Sequence, residues 1–210
     1  MSEDVVQGLR ERLCTVGRQL HDRRLVTGTG GNISARIFGT KTALIKPTGL
    51  SMGALEPDDF ALIDLQGKQL EGKHPISVET PMHTAIYRAR SDVQGVVHSH
   101  APVATALGIA GIEIVPVVIE TFLFIPNGVP IVPFEMPGSK ELAKAVQEKI
   151  KDFDAVILEN HGIVTVGSSI EKAFNLNMIV EETAGFQYMA TLLAGRDAVT
   201  MAKIKKKYRV

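Results

Sequence analysis

The sequence has no tryptophan and a single cysteine, Cys14. One thiol makes no intrachain disulfide, so a disulfide-stapled secreted scaffold is excluded and a reducing, cytoplasmic setting is expected. Net charge is also missing: 23 Lys+Arg stand against 23 Asp+Glu. Without a basic excess, neither nucleic acid nor an anionic membrane is expected as a partner. Long apolar runs are absent. Stretches such as Ile114 to Ile119 are far too short to cross a bilayer, and the acidic, polar start "MSEDVVQ" does not read as a secretory leader. No linker and no internal repeat interrupt the chain. What remains, 210 residues of which 45% are hydrophobic, is an ordinary globular composition with room for one sizeable core. A single domain over residues 1–210 is expected, with a basic tail from about residue 196 that ends in "KIKKKYRV".

Apolar spacing organises that domain. Val6, Leu9, Leu13, Val16 and Leu20 recur at intervals of three and four, which predicts an amphipathic helix. Short strand-like pieces follow, "ISARIF", "TALIKP" and "FALIDLQGKQL", the last with a turn at Gln66-Gly67. From Ser77 to about Arg90 the pattern is helical again, with Pro81 in the first turn and Met82, Ala85, Ile86 and Ala89 inward. "VQGVVHSH" reads as a strand and "VATALGIAG" as a short helix or turn. "IEIVPVVIE" and "GVPIVPF" read as proline-punctuated strands at edges or bulges. Ser139 opens a helix carrying Leu142, Ala143, Val146 and Ile150, and "DAVILENHGIVTVG" is two strands around a polar break. Ser168 with Glu171 three residues on fits a capping box for a long helix that closes near Gly195. The expected fold is α/β, a central and mostly antiparallel sheet with helices on both faces.

Chemistry concentrates in "GVVHSHAP". Alternate strand residues share a side, so His98 and His100 project together with Cα atoms roughly 6–7 Å apart, close enough to share one metal ion. Pro102 ends the strand just beyond, at an accessible sheet end. His161, at the end of another apolar strand and before Gly162, is a candidate third ligand. Three imidazoles with one open position form a catalytic zinc arrangement. Glu79 is the candidate acid–base at a helix start. His83, four residues later, reads as a surface helical residue linked to it by spacing alone. "TGTGGNIS" departs from the dinucleotide-binding G-x-G-x-x-G pattern, since Ile33 stands where the third glycine belongs and a helix precedes it. With "KPTG" it suits a phosphate held by backbone N–H groups and small side chains.

In order, "GTGGNISAR", "IKPTG", "PISVETPMHTAIYRAR", "GVVHSHAPVATAL" and "ENHGIVTVG" resemble the class II aldolase/adducin family over about Arg23 to Ala194. Length and Glu79 look most like its fuculose-phosphate aldolase branch. The resemblance implies a three-layer αβα fold in a homotetramer with sites near subunit interfaces. It implies Zn²⁺ (or Mn²⁺ or Fe²⁺) held by His98, His100 and His161, with Glu79 at the metal as a further ligand and the proton-transfer group. It places a substrate phosphate against Gly31, Asn32, Thr48, Gly49 and Ser77. The implied reaction cleaves a small phosphorylated ketose to dihydroxyacetone phosphate and an aldehyde through a metal-stabilised enediolate. Sugar-phosphate 4-epimerases, methylthioribulose-phosphate dehydratases and 3-oxo sugar-acid phosphate decarboxylases are the enzyme alternatives; an adducin-like scaffold without the metal histidines is the non-catalytic one. Two features depart from the aldolase pattern. One serine, Ser77, precedes Glu79 where two are common. The stretch from Gly111 to Gly128 has Phe122 and Phe124 but no tyrosine where the family's aldolases carry a proton donor. The family's C-terminal tail can also bring a tyrosine to a neighbour's site, so the resemblance implies Tyr208 as the aldehyde-side candidate, with a solvated basic tail as the alternative.

Overall fold

The computed structural model describes residues 3–195 and 199–208, with Lys207 and Tyr208 described by their backbone alone. Eight strands make one sheet: β1 (Asn32–Arg36), β2 (Thr42–Ile45), β3 (Ala61–Asp64), β4 (Gln69–Glu71), β5 (Gly95–Ser99), β6 (Ile131–Val132), β7 (Ala155–Leu158) and β8 (Gly162–Gly167). Their spatial order is β4-β3-β2-β1-β5-β8-β7-β6. The neighbours pair antiparallel except β6 with β7. Every residue of β5 is buried, as the middle of a sheet covered on both faces requires.

Strand alternation divides the apolar side chains between two layers of helix. The helices are α1 (Glu3–Asp22), α2 (Thr80–Ala89), α3 (Pro102–Ile109), α4 (Ile119–Phe124), α5 (Lys140–Lys149), α6 (Ile170–Ala194) and α7 (Met201–Tyr208). Ile33, Val97, Ile157 and Ile163 pack with Leu13 and Leu20 of α1, Leu107 of α3 and Val180 of α6. Their neighbours along the strands, Val96, Val156 and Val164, pack with Met82 and Ile86 of α2 and Leu142 and Val146 of α5. The result is the expected αβα sandwich. The Ser139 side chain caps α5 by accepting from the Leu142 N–H at 3.0 Å.

Three local expectations change. "IEIVPVVIE" is not a strand: Ile114 makes an isolated bridge to Val129, and α4 begins at Ile119. Pro116 cannot donate to a ladder, and the Thr121 hydroxyl bonds back to the Val118 carbonyl at 2.7 Å, which favours a helical turn. β6 is two residues long because Pro130 and Pro133 bracket it. The cap of α6 is Ser169, not Ser168; its Oγ accepts from the Lys172 N–H at 3.3 Å. Glu171 turns away to Arg12 with two bonds of 2.5 and 2.6 Å, which tie α6 to α1.

Candidate active site

β5 carries His98 in the middle of the sheet, and the chain leaves the sheet through His100 before Pro102 opens α3. The adjacent strand β8 is joined to β7 by a tight turn in which Asn160 takes a positive φ of 55° and His161 follows. That turn brings His161 beside the pair. Each of the three imidazoles offers a nitrogen, and these nitrogens lie within 4.8 Å of one another. The rings sit 4.7 to 5.4 Å apart, centroid to centroid.

The donor set fits a divalent ion. His98 Nδ1 lies 3.0 Å from the Ile163 carbonyl, which can only accept, so Nδ1 carries the proton and Nε2 keeps its lone pair. His98 Nε2 is buried with no hydrogen-bond partner, as are His161 Nδ1 and Glu79 Oε1. Buried polar atoms without partners are costly, and a cation held by the three imidazoles would satisfy the lone pair of His98 Nε2. Desolvation, with the neighbouring His98, pushes His100 and His161 down to about 4, so both are neutral ligands at pH 7.

Glycines allow this crowding. A Cβ on Gly162 would sit 2.2 Å from the Ser99 carbonyl oxygen and 3.2 Å from His98 Cε1. One on Gly30, in the "TGTGG" loop, would sit 2.9 Å from His100 Cε1.

Glu79 occupies the N-cap position of α2 but its side chain caps nothing. It turns inward instead and is 5% exposed. Oε2 lies 3.3 Å from His98 Nε2 and Oε1 lies 3.6 Å from His161 Nε2. Burial pushes its carboxyl up; the facing His98 and His161 and a hydrogen bond from Asn32 outweigh it, leaving the group below its ordinary value.

The phosphate candidates fall into two groups. An antiparallel bridge between Pro47 and Ile76, with a Thr48 N–H bond to the Pro75 carbonyl, joins the segment that carries exposed Thr48 and Gly49 to the one that carries Ser77. The Ser77 hydroxyl accepts from the Glu79 N–H at 3.2 Å. Gly31 and Asn32 sit deeper. Gly31 has φ +67°, and a Cβ there would meet Val26 Cγ1 at 2.6 Å and the His98 carbonyl at 2.8 Å. The Asn32 side chain is spent inside the protein, on Glu79 Oε2 at 2.7 Å and on His83. Tyr208 ends α7, and its side chain lies outside the described residues.

His83 is not on the surface. It is fully buried, bonded to Asn32 and, through Nδ1, to Ser34 at 2.7 Å. The stripe itself stands in the sequence, Glu79, His83 and Tyr87 at every fourth residue, but its burial against Asn32 and Ser34 follows only from the packing of α2 on β1. Lys46 was also missed. It is 2% exposed, and its Nζ donates to the carbonyls of Thr29 and Pro47, both at 3.2 Å, which joins the two glycine loops. Desolvation pushes it down to about 8.

Residues 11–188 match the family model of the class II aldolase and adducin N-terminal domain. A 5-deoxy-D-ribulose 1-phosphate aldolase of Bacillus thuringiensis is 35% identical over 88% of this chain and 86% of its own. A 3-oxo-tetronate 4-phosphate decarboxylase of Escherichia coli is 33% identical over 86% of each. The solved structure of L-fuculose-1-phosphate aldolase from Thermus thermophilus superposes with a TM-score of 0.80 at 28% identity, over 91% of this chain and 97% of that one.

Proposed function

Because the chain belongs to the class II aldolase and adducin family, we propose that it is a metal-dependent lyase that cleaves a small phosphorylated ketose to dihydroxyacetone phosphate and an aldehyde. The observation that carries this reading is a buried carboxylate, Glu79, lying 3.3 and 3.6 Å from two of three convergent imidazoles. His98, His100 and His161 would hold the ion. Zn²⁺ suits three neutral imidazoles, and Mn²⁺ and Fe²⁺ accept the same donors. Bound there, a divalent cation supplies Lewis-acid stabilisation of the negative charge that develops beside the substrate carbonyl.

The chain's own groups then move protons and orient the substrate. When the C3–C4 bond of the ketose breaks, its electron pair stays with the dihydroxyacetone phosphate fragment. In the synthetic direction the Glu79 carboxylate takes the proton from C3 of dihydroxyacetone phosphate, and in cleavage it returns a proton to C3. In the synthetic direction the Tyr208 hydroxyl of a neighbouring subunit gives its proton to the aldehyde oxygen, which becomes the C4 hydroxyl; in cleavage the Tyr208 phenolate takes that proton back as the aldehyde carbonyl forms. Thr48, Gly49 and Ser77 receive the phosphate at the rim, with the backbone at Gly31 and Asn32 behind them and Lys46 supplying positive charge between the loops. The assembly is a homotetramer; Ile119 (71% exposed), Leu123 (75%) and Leu193 (89%) support it as apolar surface in need of cover. The lone Cys14 supports a cytoplasmic setting.

The test is a screen of ketose 1-phosphates read by dihydroxyacetone phosphate release, before and after chelation and metal restoration. Release that follows the metal is expected. The stretch from Gly111 to Gly128, which lacks tyrosine, favours a second reading, decarboxylation of a 3-oxo sugar-acid phosphate. Carbon dioxide release from such an acid, with no ketose cleaved, would replace the aldolase reading. A purified protein that takes up no metal would leave the adducin-like scaffold.

A further inference from the structure

We propose that Asn32 and His83 are positioning residues in a one-way hydrogen-bond relay that fixes Glu79 Oε2 as an acceptor and reserves Oε1 for the migrating proton. The proposal rests on the reading of Glu79 as the proton-transfer group. β1 and α2 lie face to face. Along the strand, Asn32 and Ser34 are roughly 6.7 Å apart; along the helix, Glu79, His83 and Tyr87 step by roughly 6 Å. The steps nearly match, so the polar groups meet in succession. Asn32 bonds Glu79 Oε2 and His83, and Ser34 Oγ lies 2.7 Å from both His83 Nδ1 and the Tyr87 hydroxyl. All five side chains are buried.

Donor and acceptor roles allow one direction. A carboxylate only accepts, so the Asn32 atom facing Glu79 is Nδ2. That turns Asn32 Oδ1 to His83, whose Nε2 must carry the ring proton. Desolvation pushes the His83 imidazole down to about 3, so the ring is neutral and its Nδ1 accepts from Ser34. Ser34 then accepts from Tyr87, whose hydroxyl oxygen also faces the Arg36 backbone N–H, which can only donate and so leaves Ser34 as the acceptor of the Tyr87 proton. Reversed, the chain would leave the Tyr87 proton without an acceptor and would require a proton on Glu79 Oε2. Oε1 receives no hydrogen bond and is buried, 3.6 Å from His161 Nε2. The relay therefore separates the two oxygens: one is anchored, one is free to exchange a proton.

The first measurement is ¹⁵N NMR of the imidazoles in the metal-free wild type, which needs no variant to fold. A neutral His83 protonated on Nε2 is expected; an Nδ1–H tautomer or an imidazolium at neutral pH overturns the relay. The second compares His83→Gln, which keeps a donor toward Asn32, with His83→Leu, which has none. Partners behind a catalytic group are typically worth about 10–100-fold. His83→Leu should lose that much kcat in proton exchange into dihydroxyacetone phosphate, with KM and bound metal unchanged, and His83→Gln should recover most of it. Equal kcat in both variants overturns the positioning role. A wild type that exchanges nothing removes the aldolase reading alone, and the His83 tautomer still decides the relay.

Discussion

His98, His100 and His161 each lend one nitrogen, so none is dispensable. Replacing any one with Ala should remove most of the bound metal, measured by elemental analysis after stripping and reloading. Full retention in one variant would take that histidine out of the ligand set. Glu79 differs, because three imidazoles bind without it. Glu79→Gln keeps the size and removes the basicity, and general acid–base catalysis typically contributes about 10²–10⁴-fold. Activity should fall on that order while metal stays. If the variant exchanges the proton of dihydroxyacetone phosphate at the wild-type rate, the base is another group. The two kinds of residue were not equally legible. H-x-H at a strand end announces itself locally. His83 does not, because its helix shows an apolar face at Met82, Ala85 and Ile86, and only the strand laid against it reveals that the polar stripe at every fourth residue is also covered.

At the level of elements, strand pairing and turns decide how closely the imidazoles approach. Gly162 starts β8 beside Ser99 in the antiparallel partner β5. Gly162→Ala would place a methyl 2.2 Å from the Ser99 carbonyl, and overpacking of this kind typically costs about 1–3 kcal/mol. A lower melting temperature and weaker metal binding together are expected, from thermal melts with and without metal; an unchanged melt would mean the strands part without cost. The two loop glycines make a contrasting pair. Gly31→Ala meets Val26 and the His98 carbonyl and should harm the fold. Gly49, also at positive φ (+78°), has open space around it, so Gly49→Ala should fold, keep its metal and raise KM for the phosphorylated substrate. An unchanged KM would move the phosphate elsewhere. The segment 112–120 was misread as a strand because β-branched residues favour strands only where a neighbour supplies the ladder. Here Pro116 interrupts that ladder, and among the described residues the pairing is a single bridge from Ile114 to Val129.

For the molecule as a whole, metal and protons compete for the same buried imidazoles. An ion that binds only the folded chain adds stability by mass action, about 2.7 kcal/mol at a hundred times its Kd. Chelation should therefore lower the melting temperature, and no change would argue against a tight site. Acid should act on the metal-free protein in the same direction. His83 is pushed down to about 3, and His100 and His161 to about 4, chiefly by desolvation. In the unfolded chain a histidine titrates near 6.5. The unfolded state therefore takes up protons first, so this stability is complete above about pH 6.5 and is lost as pH falls toward 4 and 3. Denaturant unfolding of metal-free protein at pH 7.5 and pH 5 should show the loss. Equal midpoints would mean these imidazoles are not held neutral by the fold.

By itself the sequence determined the layers of this protein and the identity of its reactive groups. Both are local properties: alternation and three-to-four spacing state which face is buried, and H-x-H, His-Gly and a helix-start glutamate state where polar groups stand at element ends. Tertiary structure decided which of those groups touch. The pairing of Asn32 with His98 joins strands far apart in the chain, and α2 then lies over both. That packing turned a presumed surface histidine into a buried relay, drew Asn32 inward to Glu79, and joined two glycine loops through Lys46. The physical reason is that a side chain's direction follows from its own backbone, whereas its partner depends on register and helix placement, which are set by burial summed over the whole sheet.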